Sequence, residues 1–108
     1  MPTVAKAFAK DFVDVKIDID RMPHGKDVQA RLRGAATGGI PWSVILDADG
    51  QQVITADGPE GNIGCPARPH EIEHFMTMMR TGRKHMTDAD LGTIQEKLEA
   101  YAKKLLGG

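Results

Sequence analysis

The clearest structural signal in this chain is the stretch GGIPWSVILDADG, residues 38–50. Within it, the nearly continuous apolar run WSVIL at 42–46 is typical of a buried strand. The DADG sequence at 47–50 predicts a tight turn, and QQVITA at 51–56 predicts the return strand. The stretch therefore predicts a β-hairpin that is entered through a glycine- and proline-containing loop.

The residues before this stretch predict a strand and a helix. In FVDVKIDID, residues 12–20, β-branched and charged residues alternate, and a period of two indicates a strand with one buried face. KDVQARLRG, residues 26–34, predicts a short helix that ends at Gly34. A strand, a crossover helix and a second strand form a right-handed unit, so we expect an α/β fold. A further short helix is predicted over residues 3–10.

The residues after the hairpin predict a loop and two helices. DGPEGNIGCPARP, residues 57–69, is rich in glycine and proline and predicts a long irregular loop. Pro69 suits the first turn of a helix that ends near Gly82, and TDAD at 87–90 predicts the capped start of a helix that reaches Leu105. The apolar stripe of the first helix consists of Ile72, Phe75, Met76 and Met79.

This order of elements resembles the thioredoxin superfamily from its second core strand onward. The resemblance rests on VKIDID at 15–20, GGIPW at 38–42 and ILDADG at 45–50. GPEGNIG at 58–64, together with the helix that follows it, is similar to a branch with an extra C-terminal helix. The resemblance covers nearly the whole chain.

The resemblance implies a truncated thioredoxin-like α/β fold with a small mixed sheet of about three strands per chain and C-terminal helices. It implies one domain over residues 1–108, with a core at 12–80 and an extra helix at 87–105. It also implies a cis peptide bond between Ile40 and Pro41 and a groove that binds an extended peptide. The residues expected to line this groove are Ile40, Pro41, Trp42, Asn62 and Cys65.

The chain departs from this family in its redox centre. Members carry a first strand and a Cys-x-x-C helix ahead of the strand that matches 12–20, whereas Cys65 is the single cysteine here. Dithiol exchange needs two thiols, so we expect a non-catalytic, non-redox scaffold. The missing strand would leave the 12–20 strand to pair directly with 42–46 or with another chain. We therefore expect a homodimer, formed by sheet extension or by exchanged helices.

The sequence HEIEH at 70–74 opens a different possibility. His70 and His74 lie one helical turn apart and could share a zinc ion, with Glu71 as general base. A catalytic zinc needs a third protein ligand, but Arg80 stands where the next histidine of that pattern would be. The alternative is a pair of exposed histidines on an amphipathic helix. A zinc-dependent hydrolase and a folded remnant without selected activity are therefore alternatives to the binding module.

Cys65 allows two interpretations. It could be a reactive thiol in the loop, or a small apolar residue tucked into the protein interior. The second interpretation is the one we adopt, because no base or cation lies nearer in sequence than Arg68.

Composition excludes several classes of partner. The 108 residues suit one domain, and 14 basic against 15 acidic residues give a net charge of −1. Without a basic excess, we expect neither nucleic-acid nor membrane binding. No apolar run of signal-peptide or membrane-span length occurs, and one cysteine cannot form an internal disulfide. We expect a cytoplasmic protein without a cofactor.

Overall fold

A computed structural model describes residues 2–34, 39 and 41–107 of the chain. Over these residues the protein is mixed α/β, with four helices and two antiparallel two-stranded sheets. The elements in chain order are α1 (Pro2–Phe8), α2 (Gly25–Arg33), β1 (Val44–Leu46), β2 (Gln52–Thr55), β3 (Asp57–Gly58), β4 (Gly61–Asn62), α3 (Pro69–Gly82) and α4 (Asp88–Leu105).

The hairpin predicted from residues 42–56 is confirmed, but its first strand is not buried as expected, since Leu46 is 40% exposed. β1 pairs with β2 in antiparallel orientation, with Ile45 opposite Ile54. In the turn, the Asp47 carboxylate accepts hydrogen bonds from the backbone N–H groups of Asp49 and Gln51, both at 2.9 Å. Gly50 has a φ of 82°, which favours glycine. Local turn chemistry therefore closes the hairpin where the sequence predicts it.

The strand predicted over 12–20 is wrong. Residues 12–18 belong to no helix or strand, and a turn follows them. The Asp18 carboxylate accepts from the backbone N–H groups of Asp20 and Arg21, at 2.9 and 3.0 Å, and this turn leads toward α2. A strand needs a neighbour to complete its hydrogen bonds, and no other segment of the described chain pairs with residues 12–18. Alternation alone is therefore not enough to form a strand here.

The small mixed sheet of about three strands is consequently wrong as well. With no strand before α2, the strand–helix–strand crossover does not form, and the sheets are two separate hairpins. The second hairpin lies in the region predicted as an irregular loop. There Gly58 pairs with Gly61 across a turn at Pro59 and Glu60. Gly61 has a φ of 103°, a conformation that glycine adopts without strain.

The predicted helices are confirmed, because their start and stop signals are local. α2 ends at Gly34, whose φ is 68°. α4 begins with a reciprocal cap in which Thr87 Oγ1 accepts from Asp90 N at 3.1 Å and Asp90 Oδ2 accepts from Thr87 N at 2.9 Å. α3 begins with Pro69 in its first turn, as expected.

The core lies where α1, α3 and α4 pack together with the hairpins. Its most deeply buried side chains are Met78, Met79 and Ile94. The buried apolar residues are Ala7, Ala56, Ile63, Ala67, Ile72, Met76, Met78, Met79, Met86, Leu91, Ile94 and Ala102. Helix α4 supplies three of them, so it shares one core with α3.

Asp11 ties the end of α1 to the connection between α3 and α4. Its carboxylate accepts from the backbone N–H groups of His85 and Met86, each at a shortest distance of 2.8 Å. Desolvation raises the pKa of Asp11, but the surrounding backbone N–H groups outweigh it and hold the pKa below its ordinary value. The ionised form of Asp11 therefore stabilises this junction.

Candidate functional site

We name residues 38–42 the proline loop. Asn62, at the end of β4, holds two of its described residues, Gly39 and Pro41. The Asn62 side-chain amide donates to the carbonyl oxygens of Gly39 and Pro41, both at 2.9 Å. Its Oδ1 accepts from Gly64 N at 3.1 Å, which fixes the orientation of the amide. The second hairpin thus positions the proline loop, and residues that are distant in sequence form one local site.

Arg33 and Trp42 stack beside this loop. The Arg33 guanidinium carbon lies 5.0 Å from the centroid of the Trp42 ring, within the range of a cation–π interaction. Arg33 Nη1 donates to the Gly39 carbonyl at 3.2 Å. The Trp42 indole N–H donates to Asp57 Oδ2 at 3.1 Å. We name Arg33, Trp42, Asp57 and Asn62 the loop cluster.

The structure brings three of the predicted groove residues together. Pro41, Trp42 and Asn62 meet at the proline loop. Ile40, and with it the predicted cis bond, lies outside the described residues. Cys65 is exposed, so its interpretation as a tucked-in apolar residue is wrong. The buried apolar residues of this loop are its neighbours Ile63 and Ala67, and not the thiol.

Arg33 belongs to the loop cluster but was not predicted from the sequence. Helix α2 carries Arg31 and Arg33 in its last turn, and only Arg33 is buried. The amino-acid pattern does not distinguish the two arginines. The only signal is position, because Arg33 stands directly before Gly34 and the proline loop.

In α3, two polar side chains of the HEIEH sequence, Glu71 and His74, form hydrogen bonds to the backbone. Glu71 Oε1 accepts from the backbone N–H groups of Arg68 and Ala67, at 2.9 and 3.1 Å, and so caps α3. The Arg68 N–H holds the pKa of Glu71 below its ordinary value. His74 Nε2 donates to the Thr55 carbonyl at 2.8 Å.

His70 lies on the surface of the same helix, and its Nδ1 is 3.6 Å from the Glu60 carboxylate. Residues 2–34, 39 and 41–107 contain no group of three or more His, Cys, Asp or Glu side chains placed to hold a metal ion. The zinc-dependent hydrolase therefore stays a prediction without a further observation that favours it.

A second surface feature is the exposed apolar segment that precedes α2. We name residues 13–17 the pairing segment. Val13 is 91% exposed, Val15 71% and Ile17 38%. Among the residues that the structure describes, no backbone hydrogen bond joins this segment to another part of the chain. It thus presents apolar side chains and open backbone groups together.

An open groove of about 660 Å³ lies between α3 and α4. Its apolar floor includes Ile72, Met76 and Ala102, and charged side chains such as Arg80 and Glu99 line it. None of the predicted site residues lines this groove.

Comparison with protein-family models, curated proteins and solved structures found no match. The likeness to the thioredoxin superfamily accordingly stays a prediction from the sequence. Among the described helices, none combines the length and the apolar character that crossing a membrane requires.

Proposed function

We propose that this chain is a non-catalytic interaction module that pairs with a second copy of itself through the pairing segment. The observation that carries the proposal is the exposure of Val13, Val15 and Ile17 along one backbone segment without a strand partner. Single exposed apolar residues are ordinary in proteins. A row of β-branched residues with open N–H and C=O groups instead resembles an unpaired sheet edge, which recruits another strand.

Charge complementarity favours a second copy as the occupant. If two segments pair in antiparallel orientation with Val15 opposite its own counterpart, Asp14 of each copy lies opposite Lys16 of the other. Val13 of each copy then lies opposite Ile17 of the other, on the face of the strand pair that also carries Val15. Cross-strand apolar and oppositely charged pairs each contribute about 0.2–1 kcal/mol. The symmetric pairing supplies each of these pairs twice.

Other registers are less favourable. With Lys16 opposite its own counterpart, Asp14 would lie opposite Asp18, so every charged pair would be a like pair. With Ile17 opposite its own counterpart, Lys16 would lie opposite Asp18. Asp14 would then lie opposite Asp20, so each opposite-charge pair would be offset by a like-charge pair. This register would also extend into the turn at Asp20 that the Asp18 carboxylate closes. Because like charges directly opposite each other destabilise a sheet, the register centred on Val15 is the one we propose.

The pairing is expected to depend on protein concentration. Specific interfaces commonly bury about 1,200–2,000 Å², and one short strand pair supplies only part of that area. A two-stranded pair is also marginal in water without packing support. We therefore expect a reversible dimer that dissociates on dilution.

We also propose that the scaffold is a thioredoxin-like one. The order of α2, the proline loop, the β1–β2 hairpin and α3 supports this interpretation, since it follows the order that the resemblance implies. The absence of a strand at 12–18 is the point at which the described chain departs from it. Pairing with a second copy would give this segment the strand neighbour that it lacks.

The experiment is sedimentation velocity over a series of protein concentrations, comparing wild type with Val15→Asp. We expect a dimer at high concentration for wild type and a monomer for Val15→Asp. Val53→Asp is the matched control, because Val53 is also an exposed valine, at 41%, but lies in β2. A wild-type monomer at every concentration would contradict the proposal, as would equal effects of the two substitutions. A folded remnant without selected activity would show no such site-specific pairing.

A further inference from the structure

Arg33 is a buried cation with unused hydrogen-bond donors. The residue is only 9% exposed. Its Nε and Nη2 groups are closed to solvent and bond to none of the described residues. Its one hydrogen bond runs from Nη1 to Gly39 O, and Arg33 takes part in none of the ion pairs that the described residues form.

Its surroundings compensate only part of the cost of burying this charge. The Trp42 ring lies within cation–π range, and the carboxyl end of α2 carries a partial negative charge. Neither accepts a hydrogen bond from Nε or Nη2. Buried charges in proteins are normally paired and fully hydrogen-bonded, because an unsatisfied charged donor loses its hydration without replacement. Among the described residues, Arg33 therefore has no ion-pair partner.

We propose that Arg33 anchors a carboxylate-binding site within the loop cluster. The Nε–H and Nη2–H groups of an arginine are parallel and lie in one plane. They match the two oxygens of a carboxylate and bind them in a bidentate pair. These are the two donors that Arg33 leaves unused, while its Nη1 is committed to Gly39. The ligand class is a monoanionic carboxylate, either a small acid or the terminus of a peptide.

The surrounding charges favour a carboxylate over a phosphate. Asp57 accepts a hydrogen bond from the Trp42 indole N–H, so one carboxylate already lies at the edge of the ring on which Arg33 stacks. The end of α2 adds a partial negative charge. A dianion would be repelled by both groups, and Arg33 alone supplies one positive charge. A monoanion would be repelled less and still pairs with the Arg33 charge.

A ligand must displace part of the cover over Arg33. Gly39 is exposed, and a Cβ built on it would meet no atom within 4 Å, so there is open space beside the loop. Gly39 O also accepts from Asn62, which keeps the loop anchored if Arg33 turns toward a ligand. Because Nε and Nη2 are closed to solvent, a carboxylate reaches them only when Arg33 or its cover moves.

The site can be tested by fluorescence, because Trp42 is the single tryptophan of the chain. The wild-type protein is titrated with four probes. They are acetate, N-acetyl-dialanine as the free acid, N-acetyl-dialanine amide and inorganic phosphate. We expect a saturable change in Trp42 emission with acetate and with the free acid, and none with the amide. Equal affinities for the two acids would identify a small-acid site, and tighter binding of the peptide acid would identify a peptide terminus.

Two variants and a control test the role of Arg33. Arg33→Met removes the charge, and Arg33→Lys keeps it but removes the bidentate edge. We expect both to weaken carboxylate binding by about tenfold or more, the loss typical of one charge-assisted contact. Arg31→Met, on the exposed part of the same helix turn, should bind like wild type.

Three results would overturn the proposal. The first is that neither acid gives a saturable change in Trp42 emission. The second is that Arg33→Met responds to the acids as wild type does. The third is that phosphate gives a saturable change and acetate does not. The site does not depend on the pairing segment, so a monomeric protein that binds acetate through Arg33 would refute only the proposed self-association.

Discussion

The Arg33 guanidinium lies 5.0 Å from the centre of the Trp42 ring, and two of its buried donors have no partner among the described residues. A residue kept only for stability would be expected to have those donors satisfied. The two unsatisfied donors of Arg33 therefore favour a ligand-binding role, at a cost to stability, over a purely structural one.

Replacing Arg33 with methionine should leave stability in carboxylate-free buffer unchanged or raise it by about 1–2 kcal/mol. The reason is that an apolar side chain of similar length removes a buried, incompletely paired charge. Urea unfolding followed by circular dichroism measures the change. If Arg33→Met lowers the free energy of unfolding by more than Arg31→Met does, Arg33 has a structural role instead.

Replacing Asp11 with asparagine should destabilise the protein by about 1–3 kcal/mol near neutral pH, because the buried N–H of Met86 loses a charged acceptor. The effect should depend on pH. The pKa of Asp11 is lower in the folded protein than its ordinary value of 3.8, so its contribution is present above that value. It is lost as the pH falls through the lower, folded pKa.

Thermal unfolding at a series of pH values tests this dependence. The gap in melting temperature between wild type and Asp11→Asn should be full at pH 6 and should narrow below about pH 4. Asp20→Asn is the control, because the Asp20 side chain accepts no hydrogen bond from the described residues. A gap that stays constant down to strongly acidic pH would contradict the assigned role of the carboxylate.

Replacing Gly25 with alanine should destabilise the protein by about 1–3 kcal/mol through overpacking. A Cβ at this position would lie 2.4 Å from the backbone oxygen of Asp18, so the turn that leads into α2 would have to move. Gly92→Ala is the matched control, since a Cβ there meets no atom within 4 Å. Gly92 lies inside α4, where alanine should stabilise by about 0.5–1 kcal/mol. Urea midpoints that shift in the same direction for both variants would refute this explanation.

The parts of the fold that depend on local signals could be predicted from the sequence. Helix α4 begins at Thr87 because its cap is encoded within four neighbouring residues, and the β1–β2 turn follows from Asp47 and Gly50 in the same way. The strand over 12–20 could not be decided from its alternation, because a strand depends on a partner that the pattern does not contain. The same pattern suits a buried strand and an exposed pairing segment.

Of the loop cluster, Trp42 and Asn62 were predicted as site residues, whereas Arg33 and Asp57 were not. Pro41, Trp42 and Asn62 were expected together, and the structure joins them through the Asn62 amide. Arg33 was missed because its burial depends on the approach of a distant loop and not on its own helix. The exposure of Cys65 was missed for a related reason, since the packing of a glycine- and proline-rich loop has no periodic signal.

The measurement that tests self-association most directly is native mass spectrometry of a charge-swap series in the pairing segment. We expect a dimer for wild type, a monomer for Asp14→Lys, and a restored dimer for the double variant Asp14→Lys with Lys16→Asp, because each Asp14 faces Lys16 of the other copy in the proposed register. A wild-type monomer, or a dimer that survives Asp14→Lys, would contradict the proposed pairing.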